Sequence, residues 1–404
     1  MKYLYKLFYQ YDNTEFQKMY DHRLSSDSIA RIDLSIKPID QPNIFELYYL
    51  PTNKIIDLIA NIYSLSGDLT LVFNQLPSVA KNQFIIECLI EELFNTNELE
   101  GVKSSRAEIA ESVKNVQMSK KSKKRFNSMV KSYFTLINDK LSLPEFPMDI
   151  RKIYDEITAG EIEEGELPDG DIFREDITHV LAKSGNGNVI HRGLHPEAEI
   201  IKETEKLLKF MNEEDSIPSI IKVAIGHYYF GFIHPFYDGN GRTSRFISSL
   251  YLSQTLGKIP ALSLSRGCNK MKNKYLEAFE KTNSISNKGE LNFFIDTFLN
   301  IIFETLSEMN AELKEKVELL NSAEKKLESD PQLTKKNYYD FMFILAQNHF
   351  FQVNEGLTIK NLAKEMDLSE STIRKIKDEL LEKSLIKQKG IRPAYLSIKP
   401  EYFE

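Results

Sequence analysis

The run His234, Pro235, Phe236, Tyr237, Asp238, Gly239, Asn240, Gly241, Arg242, Thr243, Ser244, Arg245, set between two stretches of helical spacing, constrains this chain more than any other feature. Pro235 and Gly239 end the first helix, and the glycines let backbone N–H groups approach an anion with no Cβ in the way. The next helix begins near Gly241, so its unsatisfied N–H groups and positive dipole end point into the turn. Arg242 and Arg245 share one face of its first turn and can both reach a polyphosphate with planar donors. Asp238 is a hard oxygen ligand at the mouth of this cradle, suited to a magnesium ion bridging phosphates. His234 enters from the opposite side as the one group able to take a proton near neutral pH. Taken singly, the glycine turn reads as an ordinary loop and the histidine as a satisfied core residue. Together they read as a phosphate site with a base beside it.

The rest of the chain reads as mainly helical. Its 404 residues favour two or three domains, and 42% hydrophobic with 27% charged residues is the balance of a globular protein. The net charge of −7 supplies no overall attraction to nucleic acid or anionic lipid. No apolar run approaches the length that crosses a bilayer, and no signal-like stretch opens the sequence, so a cytoplasmic protein with no membrane partner is expected. Cys88 and Cys268 lie far apart, without zinc-ligand spacing, and read as small core hydrophobes.

Residues 1 to about 45 carry no decisive pattern. Helical spacing runs from about Thr52 to Tyr133, through Ile55, Leu58, Ile59 and Ile62 and then Phe84, Ile85, Cys88, Leu89 and Leu93. The basic stretch Lys120, Lys121, Lys123, Lys124, Arg125 reads as a solvated turn or helix face. Residues from Ile172 to Val180 and from Val189 to Arg192 flank Ser184, Gly185, Asn186, Gly187, Asn188 and read as a β-hairpin. Helical spacing returns over Glu199–Asn212, Ile217–Ile233 and Arg242–Leu256, and then from Leu291 to about Leu327, where Ser329, Asp330 and Pro331 break it.

With every defined position filled, the run from His234 to Arg245 resembles the signature of the Fic family, His-Pro-Phe-x-Asp/Glu-Gly-Asn-Gly-Arg-x-x-Arg. The resemblance implies a helical core that transfers AMP from ATP to a Ser, Thr or Tyr hydroxyl of a protein target, self-modification included. In it His234 deprotonates the hydroxyl and Asp238 holds Mg²⁺. Asn240 and the backbone of Gly239 and Gly241 hold the phosphates, Arg242 clamps the β and γ phosphates, and Arg245 binds the γ phosphate. The hairpin lies where Fic proteins carry a flap that pairs with an extended target segment, with a plain surface hairpin as the other reading. Leu262, Ser263, Leu264, Ser265, Asn273 and Tyr275 resemble the border of the adenine pocket. Tyr275 then packs near the base or is a core tyrosine.

Upstream, Thr96 to Gly101 resembles the Ser/Thr-x-x-x-Glu-Gly/Asn motif of Fic proteins whose inhibitory helix precedes the core. Thr96 and Glu100 share a helix face and Gly101 ends the helix. Glu100 would pair with Arg245 and keep the γ phosphate from it; the bland reading is an exposed residue before a glycine cap. Ser105 and Glu108 read as a capping box for the next helix. The tail, with helices over Tyr338–Ala346, Thr358–Met366 and Ser369–Lys383 and strands over Ile386–Lys389 and Tyr395–Ile398, resembles a winged helix-turn-helix. Its third helix mixes Arg374, Lys375, Lys377 and Lys383 with Glu370, Asp378, Glu379 and Glu382, leaving DNA binding and protein docking both open. The expected organisation is residues 1–150 as a helical region with the inhibitory motif, 151–330 as the catalytic core, and 331–404 as the winged helix. Alternatives are an enzyme that also, or mainly, strips AMP from targets, and an ATP-sensing DNA-binding regulator. A homo-oligomer is compatible with either.

Overall fold

The helix Ser219–Ile233 is apolar on every side, and a helix of that composition is stable only when surrounded. In the computed structural model, which describes residues 1–118, 125–138, 140–181, 189–351 and 356–403, it is the central helix of the core. It packs against Glu197–Asn212 on one side and Asn240–Thr255 on the other. Asn240–Thr255 in turn packs on Asn127–Ile137 and Pro147–Ile157. Lys222, the one basic residue of the central helix, satisfies its ammonium on the Glu213 carbonyl at 2.5 Å and on Asp215 at 2.9 Å.

The chain divides into two compact units that are not consecutive blocks of sequence: residues 1–67 with 91–306, and residues 68–90 with 307–404. The first holds the core just described and an N-terminal elaboration. That elaboration, unassigned from sequence, is two helices, Leu4–Phe8 and Asn13–Leu24, followed by an antiparallel pair of strands, Ala30–Ile36 and Phe45–Tyr49. Ala30 pairs with Tyr49 and Ile36 with Phe45, and a register shift between Ile32 and Ser35 interrupts the regular alternation of the strand. Tyr48 exchanges backbone hydrogen bonds with Gly289 and Leu291, which fastens the pair to the core.

The expected hairpin forms from His179–Leu181 and Val189–Arg192, with His179 opposite Arg192 and Val180 opposite His191. It is shorter than the sequence suggested, because residues from Ile172 to Thr178 take an irregular path pinned by side chains. Its turn, Ser184 to Asn188, lies outside the described residues, as do Lys120, Lys121, Lys123 and Lys124 of the basic stretch. Between the core and the long helix Asn292–Ser329 come three short helices that periodicity did not reveal, Lys258–Ala261, Leu264–Lys270 and Lys272–Thr282.

Among the described residues one helix, Asn53–Gln75, is by length and composition long and apolar enough to cross a membrane, its most apolar 18-residue window having a mean hydropathy of 1.4. Asn61, Ser64, Ser66 and Asp68 broke up the run to the eye. Ile55 and Ile62 on its inner face are buried, and the Ser66 hydroxyl donates to the Leu256 carbonyl at 2.5 Å.

In the second unit, helices Lys336–Phe350, Ile359–Met366 and Glu370–Glu382 meet a three-stranded antiparallel sheet whose central strand, Tyr395–Ile398, lies between Leu357–Thr358 and Ile386–Lys389. Thr358 and Ser369 cap their helices by accepting the N–H groups of Asn361 and Thr372. Leu345, Leu362, Ile373, Leu380 and Leu396 form the buried centre.

Candidate active site

The helix Ser219–Ile233 stops at His234, which takes the left-handed conformation with φ 53° and ψ 61° and donates its N–H to the Phe230 carbonyl at 2.9 Å. Pro235 prevents the helix from going on. Phe236 then anchors the loop from within the core, stacked on Tyr154 at 3.7 Å between centroids and set edge-on to Phe173 at 5.5 Å. The side chain of Asn240 clamps the same residue, donating to the Phe236 carbonyl at 2.7 Å and accepting its N–H at 3.0 Å. Asn240 therefore shapes the turn, with its carbonyl and its amide nitrogen both engaged.

Gly239 sits in the left-handed region, φ 81°, immediately before the helix Asn240–Thr255, and a Cβ there would come within 2.8 Å of Thr158 and 3.0 Å of Tyr154. At Gly241 a Cβ would collide with the carboxylate of Glu100, so that carboxylate lies against the first turn of the helix. Asp238 accepts the Gly239 N–H at 2.6 Å with one oxygen and an Arg242 N–H at 3.1 Å with the other, and its side chain stays 38% exposed. Arg242 is buried, yet among the described residues its Nε and Nη1 have no hydrogen-bond partner, and the buried hydroxyl of neighbouring Tyr154 has none either. Orphaned donors on a buried guanidinium are costly unless an anion completes them.

Arg245 is in the opposite condition. Its Nε donates to the Thr96 hydroxyl at 2.9 Å, and its Nη2 donates to the Thr96 carbonyl at 3.1 Å and to Glu100 Oε1 at 2.8 Å. Burial, the largest single influence, presses its pKa down, but the charge and hydrogen bond of Glu100 together with neighbouring Tyr275 and Cys268 outweigh it, and the net shift is upward. Thr96 and Glu100 belong to the helix Ser78–Glu100, which ends as expected at Gly101, φ 77°, with the Val102 N–H returning to the Asn97 carbonyl at 2.9 Å. Of the Ser105–Glu108 box, the hydroxyl accepts the Glu108 N–H at 3.2 Å.

The imidazole of His234 is pushed down to about 3, by burial first and then by neighbouring His191 and Arg174. It is thus neutral at physiological pH, the protonation state from which a general base acts. Tyr275 is buried, and its hydroxyl meets His227 Nε2 at 2.7 Å while its ring stands edge-on to Phe279. Tyr275 thus lies in the core, against His227 and Phe279. Ser263 and Ser265 are buried and Asn273 is exposed.

Two site residues escaped sequence reading. Glu92, on the face shared by Thr96 and Glu100, is fully buried; it accepts the Ser265 N–H at 2.8 Å and its hydroxyl at 2.5 Å, and burial raises its pKa to about 7. Its spacing from Thr96 was the available signal. Arg174, also fully buried, reaches the carbonyl of His234, and no motif marks it.

Residues 146–252 match the model of the Fic/DOC family. The chain carries a Fic/DOC family domain. The matched span includes the hairpin and the whole run from His234 to Arg245, and Fic domain proteins are typically transferases. A Fic family protein from Desulfovibrio desulfuricans is similar over 87% of this chain and 98% of its own, at 17% identity with a TM-score of 0.53, and shares the fold. A Fic domain containing signaling protein from Bacteroides thetaiotaomicron aligns with 65% of this chain and 97% of its own, at 17% identity with a TM-score of 0.44.

Proposed function

We propose that this chain transfers AMP from ATP to a hydroxyl side chain of a protein, and that Glu100 restrains it. The observation that carries the reading is the split state of one cradle: Arg242 has two buried donors without partners, while Arg245 is held by Thr96 and Glu100. In the proposed reaction His234 takes the proton of the target hydroxyl as its oxygen bonds to the α phosphorus. The bond from that phosphorus to the bridging oxygen of the β phosphate breaks, and pyrophosphate leaves. Catalysis consists of alignment and charge neutralisation, to which Arg242, the backbone of Gly239 and Gly241, and an Arg245 freed from Glu100 all contribute.

Asp238 suits a magnesium ion at this place. Its carboxylate is partly exposed, and no cluster of three His, Cys, Asp or Glu occurs among the described residues, which fits an ion held by one protein carboxylate and the substrate's phosphates. When bound, the ion neutralises phosphate charge. Asn240 serves the phosphates by holding the loop. The hairpin is the proposed site for an extended target segment, and ATP as donor agrees with a cytoplasmic location.

A second reading has Glu100 orient a water that removes AMP from modified targets, favoured by its carboxylate lying against Gly241. The tail we assign as a winged helix that docks protein. On its third helix Arg374 pairs with Glu370 at 2.9 Å and Lys377 with Asp378 at 2.9 Å, which blunts attraction to DNA phosphates and disfavours a DNA-binding regulator.

The test is labelled ATP with host lysate, comparing the Glu100→Gly variant with a double variant that also carries His234→Ala. Loss of labelling by about a hundredfold or more with ATP binding retained is expected on removal of the base. Equal labelling by both proteins would sink the mechanism.

A further inference from the structure

Arg174 is a buried cation with no acidic side chain within ion-pair distance among the described residues, a placement that is expensive unless its donors are met. They are met by backbone. Nε and Nη2 both donate to the His234 carbonyl, at 3.0 and 2.8 Å, and Nη2 also donates to the Leu194 carbonyl at 2.7 Å. Nη1 donates to the Asp176 carbonyl. The three acceptors come from three places: the residue read as the base, and the two chain segments that enter and leave the hairpin His179–Leu181 and Val189–Arg192. Parallel backbone bonds run from Arg174 N–H to the Pro235 carbonyl at 3.3 Å and from Leu194 N–H to the Ile233 carbonyl at 3.0 Å.

The His234 peptide needs such a brace. A non-glycine residue at φ 53° is strained, and it persists only where its surroundings hold it. A guanidinium is a planar fork, so a carbonyl gripped by two of its nitrogens is fixed in direction as well as distance. Gly193 completes the arrangement, since a Cβ at that position would run into Arg174 Nη2 and come within 3.1 Å of His234 Cβ.

We propose that Arg174 is a positioning residue for proton transfer, locking the His234 peptide in its left-handed conformation and tying it to both ends of the hairpin, so that base and target-docking edge are held as one body. This rests on the reading of His234 as the base. The cation also helps to keep the imidazole neutral, together with His191, whose own ring donates Nε2–H to the Phe232 carbonyl at 2.7 Å.

The test uses the full chain in the Glu100→Gly background, comparing Arg174→Met, Arg174→Lys and Gly193→Ala with the parent. Three quantities are read: kcat for transfer, Kd for ATP by calorimetry, and the carbonyl and ring resonances of His234 in selectively histidine-labelled protein. Misaligning a base by a fraction of an ångström should lower kcat at least about tenfold while Kd for ATP stays within about twofold. The His234 resonances should shift or broaden with those of His227 unmoved, and Arg174→Lys should recover part of kcat. Unmoved His234 resonances, or kcat and ATP affinity falling together in step with loss of folded protein, would overturn the proposal. Should Arg174→Met fail to fold, Gly193→Ala displaces the same guanidinium and decides the matter. If the parent shows no transfer that depends on His234, the functional reading fails, and the resonances still judge the brace.

Discussion

Arg242 and Arg245 lie one turn apart on the same helix, both buried, and the structure leaves them in opposite states. Arg242 keeps one bond to Asp238 and two donors without partners; Arg245 is bonded to Thr96 twice and to Glu100 once. The difference teaches where the proposed restraint would act. The cradle formed by Gly239, Gly241 and Arg242 is assembled and ready for an anion, whereas the position beyond it is already taken by a carboxylate. On the proposed reading, a carboxylate placed this way would leave nucleotide binding possible and withhold only the last phosphate contact.

The comparison breaks most visibly at Arg242. In the Glu100→Gly background, Arg242→Ala should cost about a hundredfold or more in transfer, the usual result of deleting a donor aimed at developing charge, and should weaken ATP binding measured by calorimetry. Tolerance of that change would mean the orphaned donors have no anion to meet. Next in size, Glu100→Gly alone should raise labelling at least about tenfold, equivalent to about 1.4 kcal/mol of preference for the productive pose. That gain should vanish when Arg245→Ala is added, and its survival would place the restraint elsewhere. Thr96→Val keeps the side-chain shape and removes one acceptor from Arg245 while the Thr96 carbonyl and Glu100 remain. Initial rates should rise only about threefold, well below the worth of a full charge-assisted hydrogen bond, because the two remaining acceptors still hold the guanidinium.

The smallest expected effect concerns pH. A histidine base of ordinary pKa near 6.5 would lose about three-quarters of its neutral form on going from pH 8 to about pH 6. His234 is lowered to about 3, so it stays deprotonated until the pH falls through that value. With magnesium in excess, kcat/KM of the Glu100→Gly variant should therefore change less than about twofold over that interval. A fourfold drop would show an imidazole of ordinary pKa.

Much of this site could be read from the chain because it is local. Caps, glycine turns and residues one helical turn apart act within a few positions, so the loop from His234 to Gly239, the Gly101 stop and the Thr96–Glu100 face were all visible, as were the two strands of the tail. What could not be read depends on distant partners. Arg174 looks like one more charged residue in an irregular stretch, and only folding brings the His234 and Leu194 carbonyls to it. Glu92 would pass for a solvent-facing glutamate of an amphipathic helix, yet Ser265 lies across it. Tyr275 resembled a pocket wall and is enclosed by His227 and Phe279. The division of the chain was hidden for a similar reason. Residues 68–90 group with the tail through contacts such as Gln83 with Asn348 at 3.1 Å, a pairing no local pattern announces.

The buried Glu92 also decides what kind of motion can free Arg245. Withdrawing the helix Ser78–Glu100 from this site would strip the Ser265 N–H and hydroxyl of their acceptor and bare the Thr96 contacts, a loss of several buried bonds at once. Swinging Glu100 aside breaks one bond, at a side chain already 24% in contact with solvent. On the proposed reading Glu92 would be the hinge pin and Glu100 the latch: the helix would stay fastened two turns back while its last carboxylate turned out to water and let a phosphate take its place.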